Sequence, residues 1–272
     1  MTELAASSRV DYVSLNAEVR LFGVAARRGA PVLLLGPTGC GKTQLVEHMA
    51  ARLDVSLVTV TCHDDLTTAD LVGRHLITGG DVEWRDGPLT KAMRTGALCY
   101  LDEIVEARSD TLAILHSVAD HRRTLFIERT GEEVVAAPGF GLVASYNPRP
   151  TGSPKHLKPA LRQRFVTMRM EYLAPDAEAD VVADRSGIDP SAARRLVAVA
   201  TALRSAAGQD AQRRFDPPST RTLVQAAGLA AGGASLEEAI DVCVVGPLSI
   251  DAAVEAVLRE LVGIAGEEPT GG

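Results

Sequence analysis

The stretch GPTGCGKT, Gly36 to Thr43, constrains this chain more than any other, because the spacing GxxxxGK[ST] serves a loop that curls backbone N–H groups around an anion. It follows the apolar run APVLLLG and precedes KTQLVEHMAARLD, in which Leu45, Val46, Met49 and Leu53 recur at helical spacing. The order predicted is strand, loop, helix. Glycine lets such a loop approach a phosphate without interference from Cβ, and the following helix aims its positive dipole end at the same point. In that setting Lys42 reaches the β- and γ-phosphates of a nucleotide and the Thr43 hydroxyl holds Mg²⁺. Gly36, Pro37, Thr38, Gly39, Cys40, Gly41 and Gln44 form the rest of the cradle. The expected ligands are ATP and magnesium.

Further short apolar runs follow the first: VSLVTVTC (55–62), GALCYLDE (96–103), GFGLVASYN (139–147) and RFVTMRMEYL (164–173). Helix-like or turn-rich sequence separates each from the next. Such alternation predicts an α/β fold with a parallel five-stranded sheet covered on both faces, and ligands at the carboxyl ends of its strands. Residues 73–89 and 123–139 break that rhythm, each placing glycine between two extended arms, and predict β-hairpins inserted into the α/β layer. Further on, alanine-rich segments such as PSAARRLVAVATALRSAA are helical throughout. The expected organisation is a nucleotide-binding α/β domain over 1–172, a linker over 173–178, a small all-helical lid over 179–265 and a flexible tail over 266–272.

The run ALCYLDEI ends a strand in Asp102 and Glu103, which offers one carboxylate to the magnesium shell and one to the attacking water. SYNP sets Asn147 at the end of another strand, where its amide can orient that water. LKPALRQRF carries Arg162 and Arg164 at the foot of the last strand, and either can serve a neighbouring subunit as an arginine finger. FDPPSTRTL puts Arg221 near the start of a helix, within reach of a γ-phosphate. Each has a plainer reading: a helix cap for the acidic pair, a turn for Asn-Pro, solvated surface for the arginines. His63, His75, His116 and His121 share no metal-ligand spacing, and Cys40, Cys62, Cys99 and Cys243 show no CxxC pattern.

A net charge of -7 and an aromatic share of 4% argue against a broad nucleic-acid groove. No apolar run approaches the length that spans a bilayer, and MTELAASSRVDYVS lacks the pattern of a secretory signal. A cytoplasmic protein without membrane insertion is expected.

Taken together, GPTGCGKT, CHDDLTTADLVGRHL, WRDGPLTKAMRTGALCYLDEIVEAR, DHRR, SYNP and LKPALRQRF resemble the CbbQ/NorQ branch of the MoxR-type AAA+ ATPases. The resemblance is dense from Glu18 to Phe165 and thinner through STRTL and GPLSIDAAVEAVL. It implies a P-loop AAA+ core and an ATP-hydrolysing remodelling chaperone that forms a ring, usually a hexamer, with nucleotide at each subunit interface. It also implies a partner carrying a von Willebrand factor A domain and a target enzyme, which in known members of the branch is rubisco or nitric oxide reductase. Residue by residue, Lys42 and Thr43 correspond to Walker A, Asp102 and Glu103 to Walker B, and Asn147 to sensor 1. Arg164 corresponds to the finger, with Arg162 as alternative, and Arg221 to sensor 2. Both hairpins would face the pore or a partner. The segment RPTGSPKH (149–156) departs from the Gly-Tyr-Gln-type run usual in the branch. A different class of function is a nucleotide-gated scaffold, in which ATP binding alone orders a ring that recruits a partner.

Overall fold

A computed structural model describes residues 3–4, 12–14, 17–148, 157–209, 216–249 and 252–266. The chain forms two compact units, one of Met1–Gly36 with Gly41–Met170, the other of Pro37–Cys40 with Glu171–Gly272. In chain order the first unit starts with β1 (Glu3–Leu4), α1 (Glu18–Arg27), β2 (Val32–Leu35), α2 (Lys42–Leu53), β3 (Leu57–Thr61) and α3 (Thr68–Val72). It continues through β4 (Gly73–Thr78), β5 (Asp81–Asp86), α4 (Pro88–Thr95), β6 (Leu98–Asp102) and α5 (Leu115–Val118). It ends with β7 (Thr124–Ile127), β8 (Glu132–Val135), β9 (Gly141–Tyr146), α6 (Pro159–Arg162) and β10 (Val166–Arg169).

The main sheet has the order β1-β3-β6-β9-β2-β10. The five apolar runs expected as strands are its five parallel members; β2, β6 and β9 are buried almost throughout, as strands covered on both faces are, whereas β3 is buried only at Leu57 and Val60 and the edge strand β10 only at Met168. Beyond the expected five, β1 adds an antiparallel edge through the pairs Glu3↔Val58 and Leu4↔Leu57. Two residues of backbone pairing leave no periodicity for a sequence to show. From β2 the chain crosses to the far side, works back through β6 and β9, then passes over β2 to β10. That reversal leaves a crevice at the carboxyl ends of β2, β6 and β9, where α/β folds take their ligands.

Both inserts are hairpins. Strands β4 and β5 turn through Gly79 and Gly80, both at positive φ, as a two-residue loop requires, and β7 and β8 turn near Gly131. Arg94 on α4 clasps the two hairpins: its Nε donates to Asp86 Oδ2 of β5 at 2.8 Å, while Nη1 and Nη2 fork onto Glu132 of β8 at 2.7 and 2.6 Å.

The second unit contains α7 (Pro175–Ser186), α8 (Pro190–Gln209), α9 (Thr220–Ala231), α10 (Leu236–Ile240), a π turn (Asp241–Val245), α11 (Gly246–Leu248) and α12 (Ala252–Gly266). Its core joins Val182, Leu196, Leu203, Leu223, Val244 and Leu258. The expected linker 173–178 is corrected here, because α7 already begins at Pro175. Proline at the first helical turn, with Asp176 and Glu178 behind it, suits the positive end of a helix and starts one instead of preventing it. Residues 149–156 and 267–272, expected as a departure from the branch and as a tail, lie outside the described residues.

Candidate active site

Strand β2 is buried along its whole length and delivers the chain to the loop that precedes α2. That helix has Gly41 at its N-cap, no side-chain cap hydrogen bond and no acidic residue in its first turn. Its start therefore presents the positive end of the dipole without an intramolecular counter-charge from that turn. A lysine at this end is electrostatically misplaced until an anion arrives. Yet Lys42 is 7% exposed, and its Nζ donates to the Gly36 carbonyl across the loop at 2.9 Å. Gly39 and Gly41 have φ of 71° and 95°, a region where a side chain costs roughly 1–2 kcal/mol. A Cβ on Gly39 would also lie 2.5 Å from Ser219 Cβ, so the close approach excludes one.

Period-two alternation puts Tyr100 and Asp102 on one face of β6, and Ser145 comes from the neighbouring β9. Tyr100 Oη lies 2.7 Å and Ser145 Oγ 2.5 Å from Asp102 Oδ1, and the two hydroxyls are 3.0 Å apart. Thr43 Oγ1 reaches the same phenol at 3.4 Å. The two oxygens expected at magnesium, from Thr43 and Asp102, thus meet around one buried hydroxyl. Hydroxyl and carboxylate donors are the hard set that suits this cation. Burial, and then the Asp102 charge, push the Tyr100 hydroxyl well above the ordinary phenol range, so it stays a donor at neutral pH.

Glu103 follows in the left-handed region, φ 53° and ψ 47°, where a non-glycine residue is strained. Its carboxyl is raised above the ordinary range, chiefly by burial. The Lys42 charge opposes that shift, the Asp102 charge adds to it, and a hydrogen bond from the Asn147 backbone N–H also opposes it. The fold therefore brings Lys42, Thr43, Asp102, Glu103 and Asn147 to the same strand ends. Arg162 and Arg164 are exposed on and just after α6, with the Arg164 guanidinium donating to the Ala160 carbonyl. Arg221 is exposed in the first turn of α9, and a Cβ built on Gly39 would lie 3.6 Å from its Cβ within the second unit.

Sequence reasoning missed Tyr100 and Ser145. Both had a signal: Tyr100 is two residues before Asp102 on a predicted strand, and Ser145 stands two before Asn147.

The parallel order with its reversal at β2, the glycine loop after that strand and the acidic pair at the end of β6 define a P-loop AAA domain, here with a helical unit. Residues 31–165 match the AAA domain (dynein-related subfamily), and residues 178–264 match the CbbQ/NirQ/NorQ C-terminal family. The chain is 51% identical over 250 residues to Protein NorQ of Paracoccus denitrificans (strain Pd 1222), covering 92% of each. It is 48% identical to the denitrification regulatory protein NirQ of Stutzerimonas stutzeri, over 92% of this chain and 90% of that one. Identity to Protein CbbQ of Hydrogenophilus thermoluteolus is 42%, over 91% and 92%. A RuvB mutant from Thermotoga maritima shares the fold, with a TM-score of 0.56 at 18% identity over 97% of this chain and 76% of that one. The chain belongs to the CbbQ/NirQ/NorQ family of AAA ATPases. Among the described residues no helix is long and apolar enough to cross a membrane.

Proposed function

We propose that the chain binds ATP with magnesium, hydrolyses it, and uses the cycle in a ring to activate a target enzyme together with a von Willebrand factor A domain partner. The observation that carries the nucleotide reading is the buried Lys42 at the start of a helix without a side-chain cap, behind a loop with two left-handed glycines. The backbone N–H groups of Pro37–Gln44, other than that of proline, together with Lys42, hold the phosphates. Thr43 and Asp102 hold magnesium, whose charge when bound offsets that gathering on the transferred phosphoryl group. Glu103 takes the proton of the attacking water, and the Asn147 amide orients that water. Arg164, with Arg162 as alternative, meets the phosphates of a neighbouring copy, a role that its exposure supports. Arg221 senses the phosphate from beside Gly39.

The regulatory role rests on the family, and the similarity to NirQ, a denitrification regulatory protein, supports a denitrification setting. Identities of 51% and 48% to NorQ and NirQ against 42% to CbbQ favour a target in denitrification over rubisco.

The test compares Lys42→Ala and Glu103→Gln with the parent chain in ATP binding, turnover and activation of the target enzyme. Lys42→Ala loses binding; Glu103→Gln keeps it and loses roughly a hundredfold or more in turnover. Full target activation by Glu103→Gln would favour the scaffold over the motor. The pH profile adds a check on the base. Because the Glu103 pKa is raised and its ionised form is the base, the acid limb of kcat/KM lies above the ordinary carboxylate range. An acid limb that persists unchanged in the residual turnover of Glu103→Gln would assign that limb to another group.

A further inference from the structure

Pro37–Cys40 cluster with the helical unit, and the contacts there converge on the loop from two sides. Tyr172 Oη donates to the Thr38 carbonyl at 3.1 Å. The Arg204 guanidinium carbon lies over the Tyr172 ring, 3.7 Å from its centroid, a distance at which cation–π attraction operates. Arg204 is in turn fixed on every side: Nη1 and Nη2 donate to Glu178 at 2.6 and 2.9 Å, and Nε to the Pro218 carbonyl at 2.9 Å. Glu178, fully buried, also accepts from Thr220 Oγ1 at 2.5 Å. Thr220 opens α9, and its neighbour Ser219 is the residue whose Cβ leaves no room for a side chain on Gly39.

A trans peptide points its C=O and its N–H in opposite directions. Holding the Thr38 carbonyl toward Tyr172 therefore turns the Gly39 N–H away from it. We propose that Tyr172 is a positioning residue for the phosphate loop, held by the Arg204–Glu178–Thr220 chain, and that it keeps the Gly39 N–H directed at the bound phosphates. This deepens the nucleotide reading and rests on it. Burial pushes the Tyr172 hydroxyl up to about 12 against the Arg204 charge, which leaves it protonated and able to donate at any pH of interest.

Tyr172→Phe removes the one hydrogen bond and keeps the ring under Arg204. In the full-length chain, ATP and ADP dissociation constants, measured by calorimetry, should rise roughly five-fold, the share of affinity expected of one such bond. Turnover at saturating ATP should stay within about two-fold, and the unfolding midpoint without nucleotide should not move, which separates positioning from a purely structural role. Arg204→Lys keeps the charge but loses the fork and the guanidinium contact with the Tyr172 ring, and should weaken nucleotide binding at least as much. Unchanged affinity in Tyr172→Phe, beside a parent chain that binds ATP, overturns the inference. So does a fall in turnover with no change in affinity. A parent chain that binds no nucleotide overturns the functional reading itself.

Discussion

Each compact unit contains a forked arginine–glutamate pair, and the two forks have similar donor–acceptor distances. Arg94 meets Glu132 at 2.7 and 2.6 Å; Arg204 meets Glu178 at 2.6 and 2.9 Å. Each arginine also commits its Nε, to Asp86 in one case and to the Pro218 carbonyl in the other. Their surroundings differ. The Arg94 and Glu132 side chains are 37% and 43% exposed, Arg204 and Glu178 14% and 1%. In water the gain from such a pair is nearly cancelled by side-chain entropy and screening, whereas a buried pair cannot lose one partner without stranding the other charge. The same drawing is therefore a clasp between two hairpins in one place and a fixed point of the fold in the other.

The sharpest way to break the comparison is to empty one half of the buried fork. Glu178→Ala leaves the Arg204 guanidinium with no counter-charge, and chemical denaturation should show a loss of about 3–5 kcal/mol. Replacing both partners, with Glu178→Leu and Arg204→Met, should recover most of that loss, because well-packed apolar groups replace buried ion pairs at little cost. Recovery would show that the pair is kept for what it positions. A double variant as unstable as Glu178→Ala would instead make the fork a net source of stability.

A smaller change sharpens the same point. Thr220→Val preserves shape and removes one donor to a buried carboxylate, for which about 1.5–3 kcal/mol is the usual loss. A loss near zero would mean that the Arg204 fork alone satisfies Glu178.

These pairs mark where the sequence was legible and where it was not. The glycine loop and the acidic pair could be read because their spacing is local: the loop, Lys42 and Thr43 lie within eight consecutive residues, and Asp102 and Glu103 close a single apolar run. The central strands β2, β6 and β9 were legible because burial on both faces makes them nearly continuous apolar runs, and β3 and β10 because short β-branched runs stand there between helix-like or turn-rich stretches. Glu178 falls in the expected linker because a polar residue shortly after Ala-Pro-Asp looks solvated, and its burial becomes tolerable only through Arg204 and Thr220, which come from other helices. Tyr100 and Ser145 escaped for a related reason. Their hydroxyls gain meaning from the β6–β9 pairing that sets them around Asp102, and that pairing joins segments more than forty residues apart.

The least disruptive test lies at the exposed clasp. Arg94→Met should move the unfolding midpoint by no more than about two degrees, since exposed pairs add little to stability. Its effect should appear elsewhere. Trp84, the one tryptophan of the chain, donates from Nε1 to Asp86 Oδ1 at 2.7 Å, and Asp86 is also the acceptor of Arg94 Nε. Opening the clasp changes what surrounds that indole, so its emission should shift while the melting temperature stays in place. Acid should do the same to the parent chain. The hydrogen bond from Arg94 holds the Glu132 carboxyl below the usual range, so its contribution is present above the ordinary glutamate pKa and is lost as pH falls through the lowered one. High salt should reproduce part of the shift by screening the exposed charges. A melting temperature that falls as far in Arg94→Met as in Glu178→Ala would erase the distinction between clasp and fixed point, and would make the hairpins as much a part of the cooperative core as the helices are.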